Sequence, residues 1–569
     1  MKKLSLALAL FGLTTVSAFA QQKQNDIVAR AMQDEMKRSM DELHIEAQER
    51  PYFISYKIVD RKSMSAHASL GGLTWSGETH NRTLTVTVRV GGYEYDSGNF
   101  NGGPGGILEL FSTVGSGLNI LPLDDNYDEL RRKLWLATDA AYKKAVEDFS
   151  AKKAADKNRN KAETIPSFSK EPARQEWETL PPIDAKLADA EHLVRTASAV
   201  FRKLPSVETS EAEFEVDNIT ERFLNSEGTT YIRQVPEVYF HASASLQNDS
   251  GESFADSYSA HGRSLGAMPN EAALVASTKE ISDRLTARMN GKSSKHYIGP
   301  VLVEGKAADE LFAHDFASHL PARHTGSGAG SILAMLSGNG LTETSSNSNM
   351  INKIGGRVLP DFLSVVDNPQ LTQMDGQPLF GNYKFDEEGV PSQETTLVKD
   401  GILKTLLTSR TPVRGIHQSS GNMREMSVLP GNLFVKASTS TSREELRKQL
   451  IDLVAKRGLE YGIILRRLSG SAAIEAVRIY PDGREEALRN AHIMEFTIGA
   501  FKDVLAVSTE RTVYTEHASA SSLAVRMPFV DADLITYVVP DMLFEEMTIN
   551  HGSGNTPKPP SISSPLASN

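Results

Sequence analysis

Not one of the 569 residues is a cysteine. That absence removes a thiol nucleophile, a disulfide framework, a cysteine-ligated metal and lipid attachment through sulfur. Stability must come from packed domains instead, and a chain of this length has room for two. Basic blocks are missing as well. Lys and Arg total 61 against 72 Asp and Glu, a net charge of −11, which argues against a nucleic-acid partner. Past the N-terminus there is no apolar run near the ~20 residues of a membrane span, so none is expected.

What is present begins with MKKLSLALALFGLTTVSAFAQQ. Lys2 and Lys3 form a charged start, Leu4 to Val16 a short apolar run, and Ala18-Phe19-Ala20 a small-x-small cleavage site. This pattern predicts a signal peptide over 1–20, cut after Ala20, and a periplasmic or secreted mature chain.

Beyond it, helical spacing over 27–46 is followed by alternating segments from Pro51 and Arg82. In the second, Leu84, Val86 and Val88 share one face and Thr83, Thr85 and Thr87 the other, a half-buried strand. A helix is expected from Tyr127 to about Lys153, then an exposed charged insertion over about 154–181. Helices near 183–204 and 270–289, with strands between 211 and 258, complete an N-terminal α+β domain over 27–290. A β-rich C-terminal domain is expected over 297–545. The Ser/Gly/Asn-rich run 325–349 reads as a mobile loop, and 550–569 as a disordered tail. Gly262-x-Ser264-x-Gly266 has nucleophile-elbow spacing, but the next helix starts several residues late at Pro269-Asn270, so a chance match is the better reading.

The densest cluster of reactive side chains is FAHDFASHLPARH, 312–324, with three of the chain's 14 histidines and one aspartate. His314 and His319 are five apart, about 140° around a regular helix, too far to share a small ion. A π-bulge would absorb the extra residue and bring the rings together. The alternative is two histidines on different faces of an ordinary helix.

His314-Asp315-Phe316-Ala317-Ser318-His319 resembles the His-Glu-x-x-x-His motif of the TldD/PmbA family of zinc metallopeptidases. Downstream, IGGRVLPDFLSVVDNP (354–369), FDEEGVPSQETTLVKDGIL (385–403), GNMRE (421–425) and LPGNLFV (429–435) resemble that family's later blocks, in order, over about 297–545. The resemblance implies a two-domain α+β architecture whose β-rich C-terminal domain carries the metal helix. It implies Zn²⁺ held by His314 and His319, with Asp315 as general base on a metal-activated water, cleaving peptides or unfolded polypeptides. It also implies a homodimer, or a heterodimer with a related subunit.

Two departures stand out. Asp315 replaces the family's glutamate, and the family's cysteine ligand has no counterpart. His517, Glu516 and His324 are the candidate replacements. These departures keep open an alternative, a catalytically weak or inactive member serving as the structural partner subunit of a peptidase complex. The DEEG run at 386–389 reads equally as a solvated turn or as part of a cleft lining.

Overall fold

The computed structural model describes residues 26–100, 119–157, 165–248, 251–322, 350–424, 427–518, 533–552, 562 and 564–568. The expected signal peptide, the loop 325–349, His324 and most of the expected tail lie outside the described residues.

The first domain grows from a long hairpin, β1 (Pro51–Ser69) and β2 (Gly72–Val90). Leu70 and Gly71 join them at φ of 48° and 78°, the left-handed pair that matches the twist of two antiparallel strands. The two short strands expected from Pro51 and Arg82 are therefore the ends of one continuous ribbon. Strands β4 (Val207–Asn225), β5 (Thr230–Gln247) and β6 (Ser253–Gly262) extend the sheet in the order β2-β1-β4-β5, with β6 beside β5. The remaining strand, β3 (Gln175–Thr179), pairs in parallel with Thr230–Gln234 on the same edge.

Strand alternation gives this sheet two unlike faces. Ile54, Tyr56, Ile58, Met64 and Ala66 of β1 share one face with Phe214, Val216, Phe240 and Ala242. Helices α1 (Ile27–Glu42), α2 (Tyr127–Asp156), α3 (Leu187–Ala199) and α4 (Glu271–Asn290) cover that face. Side chains of Asp26, Asn126 and Asn270 cap three of them by accepting a hydrogen bond from the first turn. The opposite face is polar and carries Glu211, Glu213, Glu215 and Asp217 of β4 beside Glu237, Tyr239 and His241 of β5.

The expected charged insertion over 154–181 is only partly exposed. Its strand β3 joins the sheet, and Phe168 is buried against Phe53, with ring centroids 5.0 Å apart. Composition favoured a linker, but the aromatic residue and the backbone pairing reward burial.

The second domain is a twelve-stranded sheet. Its strands are β7 (Tyr297–Val303), β8 (Leu363–Asp367), β9 (Thr395–Lys399), β10 (Asn432–Ala437), β11 (Gly462–Ser469), β12 (Ala472–Ile479), β13 (Glu485–Arg489), β14 (Ala491–Met494), β15 (Val504–His517) and β16 (Leu534–His551), with two-residue strands at both edges. The order runs β9-β8-β10-β16-β7-β11-β12-β13, while β14 and β15 also pair with β16. Strand β16 thus continues to His551, into the region expected to be tail. Helix α5 (Lys306–Asp315) follows β7 and packs on β11, β15 and β16, while α6 (Arg443–Lys456) packs against Leu302, Ile464 and Leu543 on the other face.

Ion pairs and hydrogen bonds join the domains. Arg467 reaches Asp256 at 2.6 Å, Asn490 reaches Glu252 at 2.6 Å, and Lys57 pairs with Glu387. The DEEG run sits in this interface and is not a solvated turn. Asp386 is buried and accepts from the backbone of Glu388, Val390 and Met423, and Glu388 accepts from the Arg410 amide at 2.6 Å.

Candidate metal centres and the interdomain cleft

Two groups of side chains have metal-ligating chemistry, and α5 governs the first. Gly305 opens the helix at φ 60° and donates its N–H to Asp541. Along the helix, Phe312 and Phe316 stack at 5.0 Å, and both rings meet Phe501 at 5.9 and 5.3 Å. This i,i+4 aromatic pair fixes the helix phase, because both rings must stay in the core. His314 is therefore turned outward and exposed, and Asp315 is half-buried.

The helix ends at Asp315. A 3₁₀ turn, Ala317–His319, follows Phe316. The chain therefore passes from α to the tighter 3₁₀ winding here, and the π-bulge that would absorb the extra residue of the motif is not formed. His319 is half-buried, and the chain beyond it is anchored by Leu407 donating to Leu320 and Ala322 donating to Leu407. Burial raises Asp315 above the ordinary carboxylate range, with the neighbouring His314 opposing. Among the described residues, His314, Asp315 and His319 do not belong to any group of three His, Asp or Glu with ligand atoms within 4.8 Å.

A second group does meet that measure. Glu237 of β5, His261 of β6 and His517 at the end of β15 hold one ligand atom each within 4.8 Å of the others. His517 is thus gathered with two residues of the N-terminal sheet, whereas Glu516 accepts from the Tyr514 hydroxyl at 2.9 Å. Sequence reasoning named His517 but missed Glu237 and His261. The available signal was the polar alternation Glu237, Tyr239, His241 within an otherwise apolar strand.

The polar face around this group is an acidic floor between the domains. His67 lies 3.2 Å from Glu211 and 3.5 Å from Glu213, and His241 is 3.0 Å from the Ser259 hydroxyl. Burial first, then the charges of Asp217 and Glu213, push Glu215 up to about 8. His241 is lowered by burial, with His517 and Lys306 contributing and Glu211 opposing.

A family model described as the PmbA/TldA metallopeptidase C-terminal domain matches residues 320–551. Over residues 320–551 the chain belongs to the TldD/PmbA family. The matched region starts one residue past His319 and includes the buried Asp367–Asn422 and Arg424 contacts. A metalloprotease of Methanocaldococcus jannaschii is 34% identical over 115 residues, covering 19% of this chain and 24% of that protein. The chain therefore spans only about a quarter of that relative's length in the match, and 16% of a metalloprotease from Archaeoglobus fulgidus at 32% identity. Among solved structures, TldE from Thermococcus kodakarensis has a TM-score of 0.55 at 13% identity, covering 91% of this chain and 99% of that one. A Thermotoga maritima protein described as a candidate modulator of a DNA gyrase gives 0.54 at 14%, covering 87% and 96%. At such identities these likenesses bear on the fold, which is the two-domain α+β architecture expected for the family.

Proposed function

We propose that this chain is an exported zinc-dependent peptidase acting on peptides or unfolded polypeptides. The family likeness carries the reading, together with two histidines and a carboxylate that lie close in sequence at the end of α5. His314 and His319 are the proposed metal ligands, with His324, outside the described residues, as the candidate third. Zinc at such a site would supply Lewis acidity and an acidified water. Asp315 would take the proton from that water. Burial raises its pKa, the direction that makes a carboxylate a stronger base near neutral pH. As an aspartate it is one methylene shorter than the family's glutamate, roughly 1.5 Å of reach, which costs rate where base geometry matters. Substrate would lie in the cleft above the acidic face of the first domain, which suits peptides with basic or free amino groups.

The missing cysteine and the shorter base favour a second reading, a passive partner subunit of a peptidase complex. Asp315→Ala separates the two. Under the peptidase reading it keeps its zinc and loses peptide cleavage, while Asp315→Glu raises turnover. Zinc without cleavage in wild type and both variants favours the partner reading. Export and pairing belong to the same proposal: the mature chain should start at Gln21 by intact mass and scatter light as a dimer.

A further inference from the structure

We propose that Glu237, His261 and His517 form a binding site for a divalent transition-metal ion between the two domains, separate from His314 and His319. Two imidazoles and one carboxylate make a donor set used for zinc with one open position, and equally for Fe²⁺ or Co²⁺; hard ions such as Mg²⁺ prefer oxygen-only sets. Glu237 and His261 lie on adjacent strands, where Tyr239 pairs directly with His261, so the sheet itself fixes their separation. Nδ1 of His261 is 3.4 Å from Oε1 of Glu237. Two ligands at ~2.05 Å from a tetrahedral ion stand about 3.3 Å apart, so this pair is already spaced for coordination.

The third ligand comes from the other domain. The His517 ring lies 5.1 Å from the His261 ring, and Tyr239 is 5.0 Å from both. Phe380 closes another side at 5.8 Å from His261, whose side chain is only 5% exposed. Arg263 stands 3.9 Å from the other Glu237 oxygen, Oε2, and so leaves Oε1 to the histidines. The rival account is a plain His261–Glu237 ion pair with His517 packed against it.

This group is also distant from the helix motif along α5. Lys306, at the start of that helix, lies over Tyr514 at 5.0 Å, on the His517 side. His314 is eight residues further on, about 12 Å along the axis. An ion at the interdomain position would tie the domains together, so removing it should lower the melting temperature.

The test uses the full mature chain, stripped with chelator and titrated with Co²⁺, whose visible absorption reports tetrahedral nitrogen and oxygen ligation. Expected results are that the double variant His314→Ala, His319→Ala still binds about one Co²⁺ with that absorption, while His261→Ala weakens binding at least tenfold. Glu237→Gln keeps the shape of the side chain and decides the matter if His261→Ala fails to fold. An unchanged Co²⁺ spectrum and stoichiometry in Glu237→Gln and His261→Ala overturns the proposal, as does a double variant that binds none. A double variant that retains Co²⁺ but cleaves nothing leaves the interdomain site standing and bears only on the helix motif's own role.

Discussion

Arg410 has no surface exposure. Its guanidinium donates to both Glu227 carboxylate oxygens at 2.6 and 2.8 Å and to the Ser169 carbonyl at 2.6 Å, with the Phe168 ring centroid 4.0 Å away. One side chain from the second domain thus organises two segments of the first. Removing it leaves Glu227 without its bidentate partner at a mostly buried place, so Arg410→Ala should cost about 3 kcal/mol in urea unfolding. Arg410→Lys should recover only part of that, since an ammonium cannot make the planar fork. A loss under about 1 kcal/mol for the alanine variant would show that the pair is not what joins the segments. Nothing in the local sequence marks Arg410, because its partners lie some 180 and 240 residues away. His314, Asp315 and His319 were legible for the opposite reason: they are neighbours in the chain.

At the scale of elements, the polar face of the first sheet carries its own prediction. Glu215 is raised to about 8 by burial and by Asp217 and Glu213. A carboxyl raised in the folded state contributes its full stabilisation below its unfolded value of about 4.3, and that contribution is lost as pH climbs through about 8. Wild type should therefore lose melting temperature between about pH 5 and 8, levelling off above, and Glu215→Gln should flatten that slope. Parallel pH profiles for the two proteins would contradict the assignment. The helices themselves were legible, since apolar spacing and capping residues are local signals; Asn270 caps α4 where the helix was expected to start. The break in α5 was not legible, because it is set by Phe501, nearly two hundred residues later, holding Phe312 and Phe316. Nor was β3, whose pairing with β5 outweighs a composition that reads as linker.

At the scale of the molecule, two domains meet across an acidic floor, and Glu237, His261 and His517 belong to their junction. Two domains were readable from length and from the ordered motifs after residue 297. The junction was not, because Glu237, His261 and His517 come together only when the sheets dock. Among the described residues no helix is long and apolar enough to cross a membrane. Under the proposed function, the chain cleaves peptides through a metal held at the end of α5. The most direct measurement is cleavage of an unstructured peptide by the chelator-stripped mature chain, before and after adding Zn²⁺, in wild type and His319→Ala. The account predicts no cleavage by the stripped protein, recovery on Zn²⁺ for wild type, and no recovery for His319→Ala. Cleavage that persists in the stripped protein, or equal recovery in His319→Ala, would contradict it.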